Sequence, residues 1–225
     1  MQPPVVIATS DRLDHAAELS DVADVLELRL DLSSATPTDV QEYDGPLPVL
    51  LTNRGPPDEA ASDRLARIDV LTEAIDGECV WGIDLEHDLF GDEVDEAVAA
   101  AVDDLLEEVE TTDRTTICSM HPTRVPSPES MVSTLGSMAE CGDIAKLAVP
   151  VSSEDELNDL IRATATATRD RSVATMATGR FALVSRVLAV GLGSQLVYGG
   201  SSQDAPVVEG QPSIETIRTV IDALQ

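Results

Sequence analysis

A lysine inside one apolar run, an imidazole at the end of another, and arginines and carboxylates at the ends of several more are the groups in this chain best suited to covalent acid–base chemistry. Lys146 is the only lysine among 14 basic residues. It lies in Asp143-Ile144-Ala145-Lys146-Leu147-Ala148-Val149-Pro150, which reads as a buried strand. A buried ammonium is costly unless it is paired or loses its proton. Two readings therefore stand: an amine that sheds its proton readily enough to form a Schiff base with a carbonyl compound, or a strand-end lysine that snorkels to water. His121 ends Cys118-Ser119-Met120-His121 and suits a general acid/base near neutral pH. His15 falls in a helical stretch and His87 in an acidic loop, where solvated roles are simpler. Glu27 and Arg29 share one face of Leu26-Glu27-Leu28-Arg29-Leu30 by strand alternation, either to meet a ligand or as an ion pair filling an interior. Arg54 follows Leu51-Thr52-Asn53, and Asp84 and Glu86 close Ile83-Asp84-Leu85-Glu86.

These groups need a scaffold that gathers strand ends. Short β-rich runs alternate with helical patterns along the whole chain, the signature of βαβ units around a parallel sheet. Strands are predicted at 5–8, 25–30, 48–52, 80–85, 115–119, 144–149, 172–176 and 195–198. Helices are predicted near 11–22, 36–42, 60–76, 92–109, 128–141, 153–168, 181–190 and 213–224, the second weakly. Ser153 with Glu156 forms a capping box, and Pro212-Ser213 opens the last helix in a similar way. Eight such units point to an α/β fold, a closed (β/α)₈ TIM barrel forming a single domain over 1–225, with a doubly wound open sheet as the alternative. A barrel builds its active site at the carboxyl ends of its strands, where His121, Arg54 and the carboxylates fall, with Lys146 on the sixth strand.

Composition narrows the partners. The chain has 225 residues with 42 acidic against 14 basic side chains, a net charge of −28, and only 2% aromatic residues. The acids are spread through every predicted helix, which suggests a uniformly acidic, salt-adapted cytoplasmic protein of a halophile. Such a surface argues against nucleic acid and anionic membranes as partners. No apolar stretch is long and clean enough to span a bilayer, the N-terminus does not read as a signal peptide, and three cysteines without C-x-x-C spacing suggest reduced thiols. No H-x-H or H-E-x-x-H spacing suggests a metal, and no glycine fingerprint suggests a nucleotide. Gly199-Gly200-Ser201-Ser202 reads as a phosphate loop or as the hinge of a lid over 199–212.

Taken in order, Glu27-Leu28-Arg29-Leu30-Asp31, Thr52-Asn53-Arg54, Asp84-Leu85-Glu86, Ser119-Met120-His121, Ala145-Lys146-Leu147-Ala148, Thr175-Met176, Ser185-Arg186 and Gly210-Gln211-Pro212-Ser213 resemble the motifs of type I 3-dehydroquinate dehydratase, the Schiff-base dehydratase of the shikimate pathway. The resemblance spans nearly the whole chain. It implies that Lys146 forms an imine with the C3 ketone of 3-dehydroquinate and that His121 removes a C2 proton and then protonates the departing C1 hydroxyl. That is a syn elimination to 3-dehydroshikimate with no cofactor. It assigns Arg186 to the substrate carboxylate and Glu27, Arg29 and Arg54 to the ring hydroxyls. Gln211 then closes over the substrate and Met176 lines the pocket, while nearby guanidiniums disfavour the Lys146 ammonium. It also implies a homodimer; the apolar stretch 187–192 reads either as a contact surface or as a face packed on the barrel.

Two positions depart from the family pattern. Asp58 takes the place of a longer carboxylate that orients the histidine, with Asp84 and Glu86 as other supporting carboxylates, and Val207 stands where a serine is common before the lid glutamine. A class I aldolase or transaldolase barrel shares a strand-six lysine but does not explain His121 with Arg186 and Gly210-Gln211. A non-catalytic acidic barrel protein leaves the strand-end charges without a purpose.

Overall fold

The computed structural model of the protein describes residues 3–56, 59–91, 93–201 and 210–224. Eight strands are present: β1 Val5–Ser10, β2 Val25–Arg29, β3 Val49–Thr52, β4 Val80–Glu86, β5 Thr115–Met120, β6 Ile144–Val149, β7 Val173–Ala177 and β8 Leu196–Gly200. They alternate with α1 Ala16–Leu19, α2 Pro37–Gln41, α3 Ala61–Ala74, α4 Glu96–Thr111, α5 Pro128–Met138, α6 Glu154–Ala167, α7 Ala182–Gly191 and α8 Ile214–Leu224. All paired strands are parallel, in the order β7-β6-β5-β4-β3-β2-β1-β8. Where β8 returns to β7, Gln195 N donates to Val173 O at 2.9 Å and Thr175 N to Ser194 Oγ at 3.3 Å. The (β/α)₈ TIM barrel is thus nearly closed, with a seam in place of a full ladder.

Local chemistry explains most boundaries. Ser153 and Glu156 form the expected capping box at α6, a second box joins Thr36 and Asp39 at α2, and Ser213 Oγ accepts from Thr216 N at α8. On α4, Val98, Val102, Leu105 and Val109 are buried and lie on one face at helical spacing. The first helix is a correction: it runs for four residues instead of the expected 11–22. Ser10 Oγ accepts from Arg12 N at 3.1 Å and bonds His15 Nδ1 at 2.7 Å, and a 3-10 turn occupies Leu13–His15. These side-chain bonds compete with a helical start.

Gly199 and Gly200 are a second correction, since both belong to β8. A Cβ on Gly199 would lie 2.7 Å from the Ile214 Cα, so the residue admits close packing of α8 onto the barrel. Ser201 lies just beyond the strand; Ser202 and most of the expected lid lie outside the described residues.

Inside the barrel an apolar plug of Ile7, Val25, Leu50, Ile117, Ile144, Ala174, Leu196 and Tyr198 closes the lower end. Leu28, Leu51, Ile83 and Leu85 pack on the other strand face against Ile68 and Leu71 of α3 and Val98 and Leu105 of α4. Apart from Tyr198, the residues named in both cores are aliphatic, as so few aromatics require. Above the plug the register sets Thr9 beside Glu27, Thr52 beside Asp84 and Ser119 beside Lys146. No helix among the described residues is long and apolar enough to cross a membrane.

Candidate active site

Lys146 points into the barrel and is 3% exposed, so its stem does not reach water. Its ammonium donates to Asp84 Oδ2 at 2.7 Å and to Glu27 Oε1 at 3.2 Å, and lies 4.0 Å from the ring centroid of Tyr198. The nearest charges are carboxylates, and the guanidinium of Arg54 reaches the same Asp84. Glu27 accepts from Thr9 Oγ1 at 2.7 Å and from Thr52 Oγ1 at 3.1 Å. Asp84 accepts from Ser119 Oγ at 2.5 Å and from Arg54 Nη2 at 3.1 and 3.2 Å. Two carboxylates and two cations thus balance in a buried cluster whose lone pairs are met by hydroxyls, the condition under which buried charge is tolerable.

The electrostatics follow from this packing. Burial pushes the Glu27 and Asp84 carboxyls upward, but Lys146 and Arg54 outweigh it and leave both below the ordinary range, Asp84 well below. Both therefore stay ionised at neutral pH. His121 sits at the barrel mouth, and Arg54 Nη1 lies 3.1 Å from its Nδ1 and 2.9 Å from its Nε2. Crowding around the ring and the Arg54 and Lys146 charges push its pKa well below the usual histidine value. Because the residue as a whole remains exposed, water limits the first effect and the two cations are the firmer cause. The imidazole is neutral at pH 7 and can accept a proton.

Arg186 differs from the other arginines of the site. It is 4% exposed and, among the described residues, donates only to backbone carbonyls: Nε to Tyr198 O at 2.8 Å, and Nη1 to Ala177 O at 2.9 Å and Ala182 O at 2.8 Å. No carboxylate neutralises it among the described residues, and burial lowers its pKa to about 10. A buried, fixed guanidinium without an anion is poised for an anionic ligand. It borders a cavity of about 80 Å³ shared with Thr9, Glu27, Arg29, Lys146 and His121. The lining also includes Arg54, Met176, Tyr198 and Gln211. Gln211 Nε2 donates to Thr9 Oγ1 at 3.1 Å, and its Oε1 is buried with no partner among the described residues.

Other expected groups stand further out. Arg29 is held in a two-pronged pair by Asp31, at 2.9 and 2.6 Å, and does not pair with Glu27. Glu86 is occupied by Arg67 at 3.3 Å and Gly55 N at 3.4 Å, and the structure records no bond from it to His121. Asp58 and Val207 lie outside the described residues. Thr9, Thr52 and Tyr198 belong to the site but were missed, because neutral residues in apolar strands carry no charge signal.

The family model for type I 3-dehydroquinase matches residues 4–225. The chain belongs to the type I 3-dehydroquinase family. Two 3-dehydroquinate dehydratases of halophilic archaea are each 32% identical to it. That of Halobacterium salinarum aligns over 98% of this chain and 97% of its own length, and that of Haloarcula marismortui over 98% and 96%. The type I 3-dehydroquinate dehydratase of Clostridium difficile, solved with covalently modified comenic acid, shares the fold at a TM-score of 0.80 and 23% identity, covering 100% of this chain and 93% of that one. The net charge of −28 makes a strongly acidic surface.

Proposed function

We propose that the protein is a 3-dehydroquinate dehydratase, a hydro-lyase that converts 3-dehydroquinate to 3-dehydroshikimate and water through an imine on Lys146, with the whole chain as one catalytic domain. The observation that carries this reading is the pair of cations in one cavity: Lys146 over the barrel floor and Arg186 without a neutralising carboxylate among the described residues. An amine at one point and an anion site at another suit a small molecule with both a ketone and a carboxylate.

His121 takes a proton from the Lys146 ammonium, the freed nitrogen attacks C3, and that proton goes to the departing oxygen, which leaves as water and gives an iminium. That cation inherits the place of the ammonium between Glu27 and Asp84, so the buried charge balance is kept through the covalent stage. The iminium draws the electron pair released when neutral His121 takes a C2 proton, and the resulting imidazolium gives a proton to the departing C1 hydroxyl. Arg186 holds the carboxylate, while Glu27, Arg29, Arg54 and Gln211 face the hydroxyls and Met176 packs on the ring. Asp84 supports the site by holding Lys146 and Arg54 together.

We also propose a cytoplasmic homodimer, with the outer face of α7 as contact. Leu183, Val184 and Leu188 are 37%, 42% and 41% exposed there, and sedimentation at molar salt tests it. The activity itself is tested by following the conjugated enone absorbance of 3-dehydroshikimate from 3-dehydroquinate in molar potassium chloride. Product formation above the uncatalysed rate is expected, and its absence from folded protein would overturn the assignment.

A further inference from the structure

The hydroxyl of Tyr198 is a polar group that the mechanism above does not use. The residue is 1% exposed, its ring lies 4.0 Å from Lys146 Nζ, and its oxygen is buried with no hydrogen-bond partner among the described residues. A phenylalanine would fill the plug and face the lysine equally well without burying an unmet hydroxyl. Tyr198 also lines the catalytic cavity, and its backbone oxygen accepts from Arg186 Nε. The side chain therefore sits under the nitrogen at which the covalent bond is made and broken, with a donor that waits for a partner.

We propose that Tyr198 is a positioning residue for the water that enters and leaves at the imine carbon beside Lys146. This rests on the lysine-imine reading. In hydrolysis, the water oxygen forms a bond to the imine carbon while the C=N electron pair moves to nitrogen. A proton then passes from that oxygen to nitrogen through His121. The carbinolamine oxygen pair re-forms C=O as the C–N bond breaks, and the proton it releases stays with the amine, leaving ketone and lysine ammonium. No oxidant or reductant is involved. Burial, with Glu27 and Asp84 nearby, holds the phenol well above its ordinary pKa, so the group is a fixed hydrogen-bonding dipole across the working pH range and never a base.

The test is exchange of the carbonyl oxygen of 3-dehydroshikimate with ¹⁸O-labelled water, which needs imine formation and hydrolysis but no dehydration. Tyr198→Phe should slow enzyme-catalysed exchange about tenfold, the share expected of one neutral hydrogen bond, with a melting temperature equal to or above that of the parent. Because the hydroxyl acts on formation and hydrolysis alike, the equilibrium occupancy of the Lys146 imine, trapped by borohydride, should stay unchanged. Unaltered exchange would overturn the proposal, and so would slowed exchange with lost occupancy, which is the mark of a misplaced lysine. If the parent protein itself shows neither exchange nor adduct, the imine reading fails first.

Discussion

Lys146 Nζ and Asp84 Oδ2 meet at 2.7 Å with side chains 4% and 0% exposed, so the amine and its closest carboxylate share a space that bulk water does not enter. The same carboxylate is held by Arg54 and Ser119. Removing it leaves two cations against the single carboxylate of Glu27. Asp84→Ala should cost about 3–5 kcal/mol of stability, the usual consequence of breaking one side of a buried pair, read by denaturant melts in molar salt. Since Asp84 titrates lower folded than unfolded, its contribution is complete above about pH 3.9 and fades as pH falls below that. The variant should therefore lose part of the parent's acid dependence in that window. A variant as stable as the parent would show that the pair does not support the fold.

His121 is held neutral by crowding and by two cations. The acid limb of kcat/KM should accordingly lie below the ordinary histidine value of about 6.5. His121→Ala should lower turnover by roughly two to four orders of magnitude while the imine remains trappable. An acid limb above 6.5, or near-normal turnover in the variant, would remove the imidazole from its role.

Among the described residues Arg186 has only backbone oxygens as partners. Arg186→Gln should raise KM by about 10- to 100-fold, the worth of a charge-assisted hydrogen bond. Steady-state kinetics with substrate in excess read this directly, and an unchanged KM would place the substrate carboxylate elsewhere.

The charge of −28 leaves the surface repelling itself. Screening reaches about 3 Å at 1 M salt and about 10 Å at 0.1 M. Melting temperature should fall steadily from molar to millimolar potassium chloride, and a flat curve would contradict salt adaptation.

Much of this arrangement was legible in the chain because alternation and the barrel rule act on single residues. Glu27 faces inward because Leu26 and Leu28 must face the helices, and His121 and Arg54 lie at strand ends where a barrel places its chemistry. Pairing was not legible. Nothing local says that Glu27 bonds Lys146 and not Arg29, since the two lie 119 residues apart and only the closure of the sheet joins them. The resemblance named Arg186 for the substrate carboxylate, but the carbonyls of Ala177, Ala182 and Tyr198 that hold it come together only in the folded chain. Tyr198 read as one more apolar strand residue, because a hydroxyl's lack of a partner is a property of the packed interior alone. The shortened first helix has a local cause, the bonds to Ser10, which compete with a helix-like pattern.

The central claim is a covalent bond at Lys146. Sodium borohydride added during turnover of 3-dehydroquinate should fix a substrate-derived mass on the peptide that contains Lys146, and the sole lysine leaves no ambiguity of site. A protein that turns substrate over yet carries no such adduct would contradict the imine mechanism.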